Sequence, residues 1–227
     1  MGSLYWQMND CWPAISWSSI DYSLRWKALH YFVKEAFKPV IVVLGSEGGR
    51  VEAFVVSDEL EAREATLRLT LSDVSGRRLW TREVPVTVRP NQSALCFSIF
   101  ERKLLGSAAR DQVFLSAELS GDDGPIDDAL LTFVRPKDLK LPEPEIRIEK
   151  TLVDGRVAYT FSSAVLCKNV YVHGGEGDLV LDDNYFDLLP GIPKTVLLKA
   201  GAAPDVEQIR LTSLADVTPG HPSAEER

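Results

Sequence analysis

Residues 51–73 read VEAFVVSDELEAREATLRLTLSD, and this stretch decides the fold. It contains two segments, 51–57 and 65–73, in which apolar side chains alternate with polar ones or β-branched residues cluster. Alternation with a period of two is typical of strands that bury one face, whereas a surface helix repeats its apolar residues at a period near 3.6. The stretch is therefore predicted to form two β-strands.

Segments of the same character fill the chain after Pro39. The first set is 40–45, 51–57, 65–73, 79–89, 93–100, 112–119 and 129–135, with turn signals such as Glu47–Gly49 and Gly121–Pro125 between the segments. Seven short strands without an intervening helix are typical of an immunoglobulin-like sandwich. A second set predicts a second sandwich of similar type: 145–151, 156–163, 166–173, 178–182, 194–199 and 206–213.

The first 37 residues have a different composition, since they hold nine of the 20 aromatic residues. Residues 3–9 are rich in large apolar groups and predict a short strand, and residues 10–22 predict a loop. Apolar residues at helical spacing then predict an amphipathic helix, capped by Ser23 or Asp21 and ended by Pro39. A strand, a loop and a helix in this order bury their strand within a parallel sheet that is flanked by helices.

The predicted fold is mainly β, with two immunoglobulin-like sandwiches that follow one β-loop-α unit. The boundaries that we expect are 1–38 for the first unit, 39–135 for the first sandwich, 136–144 for a proline-punctuated linker, 145–215 for the second sandwich and 216–227 for a flexible tail.

Composition excludes several classes of function. With 25 basic and 33 acidic side chains the net charge is -8, which argues against a nucleic-acid-binding surface. No apolar run approaches the ~20 residues that span a bilayer, so no membrane partner is expected. Cys11, Cys96 and Cys167 form neither a disulfide framework nor a zinc motif. Buried free thiols favour a reducing compartment such as the cytoplasm, although the localisation stays open. We expect no metal and no cofactor.

No residue pattern supplies a complete active site. Glycoside hydrolysis needs two facing carboxylates, and the candidates are Asp10, Asp21, Glu35, Asp178, Asp182, Asp183 and Asp187. Asp10 follows a strand end but has no evident partner, and a solvated turn is favoured over a calcium loop for residues 182–187. The serines lack a G-x-S-x-G elbow, and His30 is expected to be a packed helical residue. Gly48–Gly49 and Gly174–Gly175 are expected to be hairpin glycines.

Three motifs in the first unit resemble the last barrel strand and helix of β-mannosidases in glycoside hydrolase family 2. They are GSLYWQMNDCWP at 2–13, SWSSID at 16–21 and RWKALHY at 25–31. The resemblance continues at VRPKDL (134–139), DNYFDLLPG (183–191) and LTSL (211–214), and so covers almost the whole chain.

The resemblance implies a part of a retaining exo-β-mannosidase that hydrolyses terminal β-mannose residues. Enzymes of the family carry a jelly-roll domain, an immunoglobulin-like domain, a catalytic TIM barrel and one or two further sandwiches. This chain resembles only the final barrel unit and the two terminal sandwiches. The family's catalytic glutamates lie on earlier barrel strands, and no position here matches them. Catalytic residues are therefore expected to be absent from this chain, which is predicted to be inactive alone.

The resemblance also implies the residues that contact the sugar. Trp6 matches the aromatic residue at the end of the eighth barrel strand, which forms an apolar wall of the subsite for the terminal mannose. Asn9, Asp10 and Trp12 are candidates for the rim of that subsite. A cis Trp6–Gln7 peptide is expected only if the barrel is complete. The implied partners are the β-mannoside and the remainder of the barrel.

Two further expectations follow from the apolar side chains. Residues 3–37 would expose a large apolar surface, so we expect them to pack on the first sandwich or in a homo-oligomer. The alternative function is a non-catalytic carbohydrate-binding or protein-interaction module. Its sugar platform would come from Trp80, Tyr159, Tyr171, Tyr185 and Phe186, for which core packing is the competing interpretation.

Overall fold

The computed structural model describes residues 4–174 and 179–217. The chain divides into two compact units. One is Lys38–Pro142, and the other combines the described residues up to Phe37 with those from Glu143 onward. No helix in the described part of the chain is long and apolar enough to cross a membrane. The first helix, α1, spans Ala28–Ala36 and belongs to the second of these units.

The Lys38–Pro142 unit is a sandwich of two antiparallel sheets. Its strands are β1 (Val40–Glu47), β2 (Arg50–Ser57), β3 (Arg63–Asp73), β4 (Arg78–Val88), β5 (Gln92–Phe100), β6 (Val113–Gly121) and β7 (Gly124–Thr132), with a short helix α2 (Glu101–Leu105) after β5. One sheet has the order β1-β2-β5 and the other the order β4-β3-β6-β7. Every second residue of β2 is buried, as the alternating sequence predicts. The two sheets enclose an apolar core that includes Leu67, Leu69 and Leu115.

The sandwich of the other unit is smaller. Its strands are β8 (Arg147–Val153), β9 (Arg156–Ser162), β10 (Cys167–Gly174), β11 (Val180–Leu181), β12 (Phe186–Leu188), β13 (Lys194–Ala200) and β14 (Ile209–Thr212), followed by a helix α3 (Leu214–Val217). The sheets have the orders β11-β13-β9-β8 and β12-β10-β14. Between them lies a separate core that contains Tyr159, Phe161 and Leu188.

The mainly β fold predicted from the sequence is confirmed. All seven strands of the first sandwich are present, and Gly48 and Gly49 form its first two-residue hairpin turn with φ values of 57° and 74°. Helix α2 and strand β12 are missing from the prediction, since five and three residues are too short to establish a period. The tail after Val217 and the start of the predicted strand 178–182 lie outside the described residues.

The strand predicted at residues 3–9 is wrong for the described residues from Leu4 onward. Only Asn9 forms a bridge, parallel to Ile20. A strand needs a continuous ladder with a neighbour, and here only residues 7–10 find backbone partners. The predicted helix caps are also wrong: α1 begins after Lys27, which makes no side-chain cap hydrogen bond, and Asp21 instead accepts from the Arg25 amide.

Candidate functional site

Residues 7–10 and 19–27 form a hydrogen-bonded frame in the N-terminal segment. Ser19 and Ile20 donate their amides to the carbonyls of Gln7 and Met8, at 3.0 and 2.9 Å. The Asp10 amide returns a bond to the Ile20 carbonyl, and the Lys27 amide donates to the Ser19 carbonyl. These bonds fix the backbone that directly follows Trp6. The Trp6–Gln7 peptide is cis.

Asp10 closes the loop between the two halves of this frame. Its carboxylate is buried and accepts from Ser16 Oγ and, at 3.0 Å, from Lys27 Nζ. Lys27 also donates to Ser18 Oγ at 2.7 Å. The hydrogen bond from Ser16 is the main cause that lowers the pKa of Asp10, and Lys27 lowers it further. The buried Asp10 carboxylate therefore clamps the loop through Ser16 and Lys27.

Three tryptophan side chains project from the framed segment. Trp6, Trp12 and Trp17 are 77%, 66% and 71% exposed. Trp12 and Trp17 line an open depression of about 350 Å³, whose polar lining includes Gln7, Asp10 and Ser16. Asn9 is exposed, and its side chain donates to the Asp10 carbonyl. The arrangement presents large rigid aromatic faces next to hydrogen-bonding groups, which is the chemistry that sugar binding uses.

Helix α1 carries aromatic residues that contact the smaller sandwich. The Trp26 ring lies 5.6 Å from the Tyr31 ring, and Tyr31 lies 5.9 Å from Tyr185. Tyr185 stacks on Tyr171 at 4.6 Å with an angle of 12° between the rings. Lys34 Nζ adds a hydrogen bond to the Asp182 carbonyl. Residues 4–37 thus group with the second sandwich in one compact unit.

The loop from Asp182 to Asp187 is an ordered connector rather than the solvated turn expected from its acidic sequence. Asp182 accepts from the Leu197 amide at 2.7 Å, and Asp187 accepts from Lys168 at 2.8 Å. Asp183 forms an ion pair with Lys194 at 2.8 Å. Each of these three carboxylates has a partner within the protein, and their local role is to fix the chain. Asp178 lies outside the described residues.

The aromatic residues that could form a sugar platform on the sandwiches do not present an open face together. Tyr159 and Phe186 are buried in the core of the second sandwich. Trp80 packs on the core of the first sandwich with its ring 5.9 Å from that of Phe97. Tyr185 is covered by Tyr31 in addition to its stack on Tyr171. Core packing therefore explains Tyr159, Phe186 and Trp80, whereas Tyr171 and Tyr185 are half-buried and stack on each other.

The buried carboxylates of the described residues also have structural partners. Asp127 accepts from the Val42 amide at 2.8 Å and from Lys38 at 3.0 Å. Glu101 accepts from Ser46 Oγ at 2.7 Å and from Arg110, whose guanidinium also donates to a backbone carbonyl. Together with the Asp10 clamp, these contacts occupy the carboxylates that burial would otherwise make candidates for acid–base chemistry.

Among the described residues, the cysteines and histidines form no metal cluster. Burial raises the pKa of the Cys96 and Cys167 thiols, which keeps them protonated. Cys11 is exposed, so the expectation of a buried thiol is wrong at this position. His30 is packed at 4.4 Å from the Trp26 ring, and burial lowers its pKa. His221 lies outside the described residues.

Comparison with known families accounts for both sandwiches. A family model described as a mannosidase Ig/CBM-like domain matches residues 49–138, and a second model, an Ig-fold domain of mannosidases, matches residues 141–217. The two sandwiches are immunoglobulin-like domains of the glycoside hydrolase family 2 β-mannosidases. The mannosidase domains thus occupy nearly all of the chain after β1.

Curated relatives extend the similarity of these mannosidase domains to most of the chain. β-Mannosidase A of Aspergillus fumigatus is 32% identical over 214 residues, which cover 86% of this chain and 23% of the relative. β-Mannosidase A of Aspergillus oryzae is 30% identical with the same coverages. The chain therefore spans about a quarter of the length of the curated relatives that it matches.

Solved structures give the same result. The β-D-mannosidase of Dictyoglomus thermophilum matches 92% of this chain and 25% of its own, with a TM-score of 0.80 and 25% identity. An exo-chitosanase of Amycolatopsis orientalis matches 92% of this chain and 29% of its own, with a TM-score of 0.69, and at 14% identity it shows the shared fold alone.

Proposed function

We propose that this chain is the C-terminal accessory part of a retaining exo-β-mannosidase that hydrolyses terminal β-mannose residues. In this proposal the catalytic glutamate pair belongs to barrel strands that the chain does not contain. The chain contributes two sandwiches as a scaffold and one segment, residues 4–37, as the final strand, loop and helix of the barrel.

One observation carries the proposal: the similarity to β-mannosidases extends beyond the two sandwiches into the residues that precede them, where a framed segment exposes Trp6. The β-D-mannosidase structure matches 92% of the chain, whereas the two family models begin only at residue 49. Trp6 is 77% exposed while the backbone after it is fixed by the bonds of Gln7 and Met8. An exposed ring on a fixed backbone can form a wall for a sugar that other elements enclose.

The role of Trp6 is to stack on the apolar C–H face of the terminal mannose. A tryptophan presents a large rigid surface at low conformational cost, and its stacking fixes the orientation of the sugar ring. Asn9 and Trp12 are rim residues in this proposal. Asp10 holds the loop on which they lie, because its carboxylate is occupied by Ser16 and Lys27.

Sugar titration of the purified chain tests this function. Without the rest of the barrel, Trp6 supplies one wall of a subsite, which is too little surface to immobilise a sugar. We expect mannose oligosaccharides to leave the tryptophan fluorescence unchanged and an aryl β-mannoside to remain unhydrolysed. Saturable binding by the chain alone would instead favour the carbohydrate-binding module, and hydrolysis by the chain alone would contradict the accessory role.

A further inference from the structure

Tyr185 has an unusual backbone conformation, and its ring stacks on Tyr171. Its φ of 57° lies in the left-handed region, where a bulky aromatic residue is rarely found. Such a conformation persists only where the surrounding structure enforces it, and it is a reason to look for a role. No catalytic or rim role has been assigned to this residue.

The structure that enforces this conformation is the side chain of Asn184. Its amide group is buried and pairs with β10 as a strand would, since Oδ1 accepts from the Val172 amide at 2.8 Å and Nδ2 donates to the Val172 carbonyl at 2.9 Å. The same Oδ1 accepts from the Tyr185 amide at 2.9 Å. Asn184 therefore attaches the turn to β10, and Tyr185 is left with its ring stacked on Tyr171.

The stacked pair of Tyr171 and Tyr185 contacts helix α1 through Tyr31, the one buried residue of that helix. Tyr31 is 4% exposed and contacts Tyr185. Burial is the largest cause that raises the pKa of Tyr31 to about 12, as expected for a ring enclosed by its neighbours. The hydrogen bond from Lys34 to the Asp182 carbonyl fixes the helix at the same loop.

A series of direct contacts connects Tyr31 to the backbone next to Trp6. Trp26 contacts Tyr31 and forms a bridge with Ile20. Ile20 is bonded to Met8, and Ser19 is bonded to Gln7, the residue directly after Trp6.

We propose that Tyr171 and Tyr185 form a tyrosine seat by which the second sandwich positions the N-terminal segment, and with it Trp6. This proposal rests on the proposed function, because the position of Trp6 matters only if Trp6 contacts the sugar. Tyr31 and Tyr185 are positioning residues, because their contact joins the segment that carries Trp6 to the second sandwich and neither touches the sugar. The second sandwich would then help to form the mannose subsite, in addition to its role as a scaffold.

Amide hydrogen exchange of this chain tests the seat. In Tyr31→Ala and in Tyr185→Ala we expect the amides of Ser19, Ile20 and Lys27 to exchange at least about tenfold faster, because the frame loses its anchor. The amides of β9 and β13 report whether the sandwich itself stays folded. Tyr185→Phe keeps the ring and should restore the protection of the frame, a rescue that general destabilisation would not produce.

Tyr22→Ala is the matched control, since it removes an exposed tyrosine of the same segment. If Tyr185→Ala also exposes the amides of β9 and β13, Tyr31→Ala decides the question, because Tyr31 lies outside the sandwich. Unchanged protection of Ser19, Ile20 and Lys27 in Tyr31→Ala, with the sandwich folded, would overturn the proposal. The measurement uses no sugar and no activity, so a failure of the mannosidase role would leave this result unaffected.

Discussion

At the scale of single residues, the buried charges of this chain are best understood as clamps on the backbone. Asp127 lies on β7 and accepts from the Val42 amide on β1, and Lys38 supplies the opposite charge. Asp10 in the N-terminal loop and Glu101 at the start of α2 likewise have partners for their carboxylates. A buried carboxylate is stable only when its oxygens have such partners, so each of these residues reports a connection between distant parts of the sequence.

Replacing Asp127 with alanine should destabilise the first sandwich by about 2 kcal/mol. The change leaves the buried Val42 amide without an acceptor, and an unsatisfied buried donor costs roughly 1–3 kcal/mol. Denaturant unfolding measures the loss. Asp122→Ala, in the exposed turn between β6 and β7, is the control and should change the free energy of unfolding by less than about 0.5 kcal/mol. Equal losses in both variants would refute the clamp.

Tyr31 gives the unit that contains it a dependence on alkaline pH. Its pKa rises from 10.0 to about 12 on folding, so the folded state favours the neutral phenol. The resulting stabilisation is fully present below pH 10 and is lost as the pH rises through about 12, which amounts to about 3 kcal/mol.

This dependence is measured as the free energy of unfolding between pH 9 and pH 12. We expect a shallower decline in Tyr31→Phe than in the parent chain, with Tyr22→Phe as the matched control. Parallel declines in the parent chain and Tyr31→Phe would show that Tyr31 is not the group responsible.

At the scale of elements, local patterns determine the strands and hairpins. The alternation in residues 51–57 predicts β2 because Val51, Ala53 and Val55 are buried while the residues between them are less buried. Gly48–Gly49 predicts the turn because both positions need positive φ. The pairing of Asn184 with β10 could not be predicted in this way. It depends on the Val172 backbone, and the surrounding acidic residues suggest a solvated turn.

The glycines of β1 and its turn offer a matched pair for testing the hairpin. Gly49→Ala should destabilise the first sandwich by about 1 kcal/mol, because an alanine with φ near 74° is strained. Gly45→Ala should be neutral or slightly stabilising, since Gly45 has an ordinary φ and open space around its Cα. Thermal unfolding of both variants measures the difference, and a neutral Gly49→Ala would contradict the turn assignment.

At the scale of the whole molecule, the chain contains two apolar cores that share no residue. The sequence predicts both, because each strand set carries its own buried face. It does not predict that residues 4–37 belong with the second sandwich. That grouping depends on the contact between Tyr31 and Tyr185, which are 154 positions apart and have no local pattern in common.

Separate cores predict separate effects of core substitutions. Leu69 and Leu188 are both fully buried, one in each core. Truncation of either to alanine should cost about 3 kcal/mol. We expect Leu69→Ala to lower the melting transition of the first sandwich and Leu188→Ala that of the second, as followed by calorimetry and by hydrogen exchange of β3 and β9. Loss of protection in both strands from either change would mean that the cores unfold as one.

Above all, we propose that this chain completes a β-mannosidase by supplying Trp6 on a segment that its second sandwich holds. The most direct test replaces the matching quarter of the Aspergillus fumigatus enzyme with this chain and measures kcat/KM for an aryl β-mannoside, with and without Trp6→Ala. We predict hydrolysis by the folded chimaera and a loss of at least about tenfold in kcat/KM in the Trp6→Ala variant. A folded chimaera that hydrolyses the β-mannoside equally well without Trp6 would contradict the claim.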